Sequence, residues 1–175
     1  TPTALHFLGN YCLELNKDSK AEAVYQHFIS KYPNHELVVS AKGALGQIKI
    51  RRGDEQGAEA IYQKIRTEYA NHPRLPEVIA DAGIRYYQRA RTEQRLGRTG
   101  YADYYRKAIG IWESVIRDFP QSPGAAQACY HSAVVYGQEL REYKQAFQCY
   151  QRVAESWPDY EYAWHAQFSV GEYYQ

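Results

Sequence analysis

The residues best placed to do chemistry are basic and aromatic. Between positions 85 and 107 lie Arg85, Arg89, Arg91, Arg95, Arg98, Arg106 and Lys107, opposed only by Glu93 and Asp103, in a chain whose formal charge is +1. Tyr86, Tyr87, Tyr101, Tyr104 and Tyr105 are interleaved with them. Guanidinium groups among aromatic faces can hold a nucleic acid single strand, an acidic polymer or anionic lipid headgroups by charge and stacking. The plainer reading is a solvated helical hairpin whose tyrosines pack on one another.

The other reactive residue types are scattered. Of six histidines, His35 and His72 fall between helical segments, and His131 and His165 could approach from neighbouring helices. Two imidazoles without a third ligand make a poor metal site, so no metal is expected. Cys12, Cys129 and Cys149 have no metal or redox spacing and read as small buried thiols. A Cys129–Cys149 bridge is disfavoured because the two lie at unequal distances from the turn between their helices. Acids such as Asp54, Glu55, Asp159 and Glu161 flank helix starts, where they favour the dipole. With no glycine-rich phosphate loop, nucleophile elbow or zinc-protease motif, neither catalysis nor a cofactor is expected.

The elements that must position these residues come from one recurring pattern. Ala21-Glu-Ala-Val-Tyr25-Gln-His-Phe28-Ile-Ser-Lys-Tyr32-Pro33 returns from Ala58 through Tyr62 and Ile65 to Tyr69. It returns again from Ala108 through Trp112 and Val115 to Phe119-Pro120, and from Ala146 through Tyr150 and Val153 to Trp157-Pro158. Steps of four, three and four lie on one stripe of a helix, which proline then ends. Upstream of each copy stand Leu8-Gly9, Leu45-Gly46, Ala82-Gly83 and Ala133-Val134, and Val170-Gly171 begins a fifth element. Each unit is therefore a helical hairpin, with small residues facing Tyr25 or Tyr62. Asp18 or Ser19, Asp54, and Ser122 followed by Pro123 are the expected caps. The recurring alanines are 37 and 38 residues apart except between Ala58 and Ala108, where they are 50 apart. The excess lies inside the third hairpin, which predicts two long helices, about 76–96 and 100–118, carrying the basic window on a finger.

Leu-Gly in a first helix, with alanine, aromatic and proline in a second, resembles the tetratricopeptide repeat (TPR) family. The resemblance implies an all-α fold, a right-handed α-solenoid of about four hairpins with the third elongated and a final unpaired helix. It implies one domain, 1–175, with units of about 3–33, 36–70, 75–120 and 122–158 and a last helix at 160–174. It also implies a concave groove formed by the first helices. Carried onto this chain, that groove is Asn10 and Leu13; Gln47, Ile50 and Arg51; Ile84, Tyr87 and Gln88; His131, Val135 and Gln138; and Phe168. The carboxylate-gripping residues of the chaperone-adaptor branch are absent, with His6, Ala44, Glu77 and Asp81 in their places and only Asn10 matching. The aromatic-proline endings look most like bacterial cell-envelope members, of the outer-membrane assembly lipoprotein and Tol-Pal-associated kinds.

The resulting expectation is a non-catalytic scaffold that holds a protein or peptide partner in the groove, in the bacterial periplasm or at the outer membrane, with the cytoplasm as the alternative. The anion-binding finger is the competing expectation, and nucleic acid is not the favoured partner. The start inside a helical pattern and the absence of methionine suggest a fragment of a longer protein. The sequence shows no transmembrane run. Trp164 and Phe168, off the packing stripe of the last helix, suggest continuation of the chain or self-association there.

Overall fold

The computed structural model describes residues 1–173, and among these the only regular structure is helical. In order the helices are α1 (Pro2–Glu14), α2 (Asp18–Lys31), α3 (Val38–Arg52), α4 (Glu55–Glu68), α5 (Leu75–Arg95), α6 (Tyr101–Asp118), α7 (Pro123–Val134), α8 (Tyr143–Ser156) and α9 (Ala163–Tyr173). A π-helical turn, Val135–Glu139, follows α7. The chain divides into two compact units, Thr1–Val78 and Ile79–Gln175, where the sequence led to one domain; the division falls within α5.

In the first unit, glycine and tyrosine fit together as the spacing predicts. A Cβ on Gly9 would lie 2.6 Å from the Tyr25 ring, and one on Gly46 would lie 2.7 Å from Tyr62. Only a bare backbone admits those rings. The Tyr25 hydroxyl donates to Asn10 Oδ1 at 2.6 Å, and the Tyr62 hydroxyl donates to the Gly43 carbonyl at 3.0 Å. Around them Cys12, Ala21, Phe28, Val38, Ala41 and Ile48 close one core.

The caps expected at Asp54 and Ser122 form, and the one expected at Asp18 or Ser19 does not. Asp54 accepts from the Gly57 amide at 2.9 Å and Ser122 from the Ala125 amide at 3.1 Å, each capping its helix. Neither Asp18 nor Ser19 caps α2, whose first turn has no side-chain cap. The reason is competition, since the Asp18 carboxylate is held by Arg51 of α3. Left-handed backbone turns the chain at Asn16 (φ 54°), Gly53 (φ 82°) and Arg141 (φ 58°), close to where the sequence placed the turns.

The connections after α2, α4, α6 and α8 share one geometry. The carbonyls of Tyr32, Tyr69, Phe119 and Trp157 each accept from the amide three residues on, at 3.1, 2.9, 3.0 and 3.0 Å. A second such bond follows in each case, to Val38, Leu75, Ala125 and Ala163. For that reason α9 starts at Ala163 rather than at 160. Two of these connections are tightened by histidine: His35 Nδ1 accepts from the Leu37 amide at 3.1 Å, and His72 Nδ1 from the Arg74 amide at 3.2 Å.

In the second unit α5 and α6 are the longest helices described, at 21 and 18 residues. Trp112 occupies the space a side chain on Gly83 would need, and its Nε1 donates to the Ala80 carbonyl at 2.9 Å. The next hairpin departs from register. Val134, which the sequence aligns with the glycines, is only half-buried; the fully buried small residue beside Tyr150 in this core is Ala133, one position earlier. Seventeen residues separate Ala133 from Tyr150, against sixteen from Gly9 to Tyr25 and from Gly46 to Tyr62. The π-turn absorbs the additional residue, with the Leu140 amide donating five residues back to Val135 at 3.0 Å. On α9, Ala166 is buried against this core and Tyr173 stacks on Phe147 with centroids 4.3 Å apart. Tyr174, also expected on that stripe, lies outside the described residues.

Candidate functional site

The groove residues expected in the first unit are largely engaged in building it. Leu13 and Ile50 are buried and so belong to the core, not to a contact surface. Arg51 donates to the Leu13 carbonyl at 3.2 Å and to Asn16 Oδ1 at 3.0 Å, besides its pair with Asp18, and thereby fastens α3 to the first hairpin's turn. Asn10 receives the Tyr25 hydroxyl, and Gln47 is half-buried. In the second unit Val135 is likewise core. His131 stacks on Trp112 with centroids 5.6 Å apart, and burial pulls its pKa down to about 4, so it is neutral at physiological pH. Ile84 is half-buried, while Gln138 and Phe168 are exposed.

A cavity of about 630 Å³ in the second unit gathers the remainder. It is lined by Tyr87, Gln88, Arg91, Thr92, Gln94 and Arg95 of α5 and by Glu139 at the end of the π-turn. Two sites expected to be separate, the groove at Tyr87 and Gln88 and the finger at Arg91 and Arg95, meet here. The wall is aromatic: Tyr87 lies against Tyr105 and Trp112, with centroids 6.0 and 6.5 Å apart. The Arg91 guanidinium lies 5.8 Å from the centre of the Tyr87 ring, and its Nε is 3.8 Å from Glu139 Oε1. Buried Tyr105 donates to Gln94 Oε1 at 2.7 Å, and desolvation followed by the nearby Glu139 carboxylate pushes its phenol far above the usual range. Burial also raises Tyr87. Arg95 is exposed and has no partner among the described residues.

The other basic residues of the window are occupied along the hairpin. Arg89 lies 4.4 Å from the centre of the Tyr104 ring, and Lys107 lies 5.6 Å from Tyr104 and 5.8 Å from Tyr86. Arg85 donates to Gln88, Arg98 pairs with Glu93 at 3.1 Å, and Arg106 pairs with Asp103 at 3.3 Å. Tyr86 stacks on Tyr104 and Tyr101 meets Tyr105 edge-on. Rings used in this way are not free platforms for bases, and the plainer reading of the finger fits the geometry better.

Glu139, Thr92 and Gln94 were not foreseen as site residues. Thr92 and Gln94 follow from the α5 face once Tyr87 and Arg91 are placed. Glu139 depends on the π-turn, which leaves no trace in the sequence pattern because Val134 stands at the usual sixteen-residue step from Tyr150. The cysteines are free thiols, Cys12 and Cys129 buried and Cys149 half-buried, and the Cys129 thiol donates to the Cys149 carbonyl at 3.4 Å. Contact with Cys129 draws Cys149 below the usual thiol range, while Cys149 and burial push Cys129 up. His165 Nδ1 meets the Tyr130 hydroxyl at 3.3 Å. Among the described residues no three metal-ligating side chains converge, and no helix is long and apolar enough to cross a membrane.

Helical hairpins with a small residue set against an aromatic define the class of fold, and comparison with known proteins gives it a name. Residues 10–35 and 127–160 match the model of the tetratricopeptide repeat. A solved tetratricopeptide repeat protein from Parabacteroides merdae aligns over 98% of this chain at 18% identity with a TM-score of 0.54. This chain spans 59% of the length of that one. The family model marks repeats of that kind in those two stretches, and the likeness to the solved structure supports the fold, an α-solenoid of helical hairpins. No curated protein matches the sequence.

Proposed function

We propose that this chain is a non-catalytic interaction scaffold that holds a segment of a partner polypeptide, with the cleft of the second unit as the place of contact. The cleft itself carries the reading. It combines an aromatic wall at Tyr87 with polar groups at Gln88, Gln94, Arg91 and Arg95, a mixture suited to side chains and backbone of another chain. The fold points the same way, since tetratricopeptide repeats generally mediate protein–protein interactions. The test is photo-crosslinking in the native host with the probe at Tyr87, at Arg95 and, as a control, at exposed Ala60 of α4. One polypeptide captured at 87 and 95 but not at 60 is the expected result. Equal capture at all three, or none at the cleft, overturns it.

Two narrower readings accompany this one. Exposed Trp164 and Phe168, at 67% and 61%, support self-association through α9. Sedimentation should then show a concentration-dependent dimer that Phe168→Glu abolishes, and a monomer at all concentrations refutes it. A place in the bacterial cell envelope rests on the aromatic-proline endings alone; recovery of the native protein in the cytosolic fraction refutes that assignment.

A further inference from the structure

The cleft has an imbalance that specifies its ligand. Arg91 and Arg95 are four residues apart on α5 and so share one face of the helix. Among the described residues, the single acid lining the cavity with them is Glu139. That acid is already engaged: its side chain is only 14% exposed, Arg91 stands 3.8 Å from it, and the Tyr87 and Tyr105 hydroxyls face it. Arg95 has no such partner among the described residues. Two guanidiniums and one carboxylate leave one positive charge uncompensated beside an aromatic wall.

We infer that the cleft receives a single carboxylate side chain, Asp or Glu, of an extended partner peptide. The carboxylate sits between the Arg95 and Arg91 guanidiniums, and the peptide's neighbouring apolar side chain lies on Tyr87. The inference rests on the scaffold reading and makes it specific. Arginine suits this role because its planar fork can bond both oxygens of a carboxylate. The NH₂ groups of Gln88 and Gln94, whose oxygens are taken by Arg85 and Tyr105, remain to meet peptide backbone. Glu139 sets the charge preference. A carboxylate neutralises the excess, whereas a doubly charged phosphate would overcompensate it and face Glu139 across the cavity. The π-turn holds Glu139 in that place. A cavity of about 630 Å³ has room for a side chain and its neighbours.

The experiment uses the whole chain and an array of terminally blocked dodecapeptides, each carrying a central Glu beside an aromatic residue, with Gln and phosphoserine counterparts. Blocked ends ensure that any carboxylate recognised is a side chain. Glu peptides should bind at least about tenfold more tightly than their Gln counterparts, the equivalent of one charge-assisted hydrogen bond. Arg95→Gln should remove that discrimination without moving the melting temperature, because Arg95 supports no contact in the fold. Glu139→Gln should narrow the difference between Glu and phosphoserine peptides. Equal binding of Glu and Gln peptides, retained discrimination in Arg95→Gln, preference for phosphoserine, or no binding by any peptide overturns the inference. The scaffold reading stands or falls separately, on polypeptide capture in the host. Tyr87-dependent binding without discrimination refutes the carboxylate alone.

Discussion

The hairpins α3–α4 and α5–α6 share one anchor and differ in everything beyond it. In the first, Tyr62 lies on Gly46 and donates to the carbonyl of Gly43. In the second, Trp112 lies on Gly83 and donates to the carbonyl of Ala80. Both acceptors stand three residues before the glycine, one turn back along the helix. Past the anchor, α3 stops at Gly53 and Asp54 caps α4 at once. By contrast α5 and α6 continue through rings stacked with cations, Tyr86 on Tyr104 and Arg89 and Lys107 over Tyr104. The short hairpin ends soon after its anchor, and the long one adds a ladder of rings and cations beyond its own. Ladder contacts are individually weak, so the extension can carry a cleft without the fold depending on it.

The comparison is broken most severely at the anchor. Trp112→Ala should destabilise the second unit by about 4 kcal/mol, the range for a deleted core aromatic. Amide hydrogen exchange should show the loss in α5–α7 and leave the α1–α3 amides protected. A loss shared equally by α1–α3 would mean that the anchor is not local.

Acid acts on the same place through His131. Its pKa is about 4 when folded, against an ordinary 6.5 when unfolded. Between these values the unfolded chain binds more protons, so the stability His131 contributes is present above pH 6.5 and declines as the pH falls toward 4. The decline is on the order of 3 kcal/mol. Denaturant unfolding from pH 7 to 4 should show it, and His131→Asn should flatten that slope.

Glycine substitutions sharpen the comparison further. Gly46→Ala and Gly83→Ala should each destabilise by about 1–3 kcal/mol through overpacking. Gly110→Ala, in α6 with open space where its Cβ would go, should instead stabilise by about 0.5–1 kcal/mol. Equal effects at positions 83 and 110 would refute the anchor. The smallest loss belongs to the ladder: Tyr104→Ala, which removes two cation–π contacts, should lower stability by about 1 kcal/mol in thermal unfolding.

Much of this was legible in sequence because it depends on residue types at fixed offsets. Gly9 with Tyr25, Gly46 with Tyr62, the aromatic that ends each second helix and the long third hairpin are all of that kind. The caps at Asp54 and Ser122 were legible as well. The cap of α2 was not, because an acid near a helix start has other partners and Asp18 meets Arg51 across the fold. Leu13, Ile50 and Val135 were misassigned to a groove because one helical face was assumed open where neighbouring helices cover it. The cleft was seen as two halves, Tyr87 and Gln88 apart from Arg91 and Arg95. Nothing in the types of those residues tells that Glu139 stands opposite and joins them.

The π-turn at Val135–Glu139 makes the cleft a matter of residue count as much as residue identity. Deleting one residue there, Gly137 for example, should restore the sixteen-residue step of the first two hairpins and remake the turn from which Glu139 reaches the cavity. Every side chain of the site would still be present, but not on the backbone that places its carboxylate. The site is therefore open to a change that no substitution makes, a single codon gained or lost.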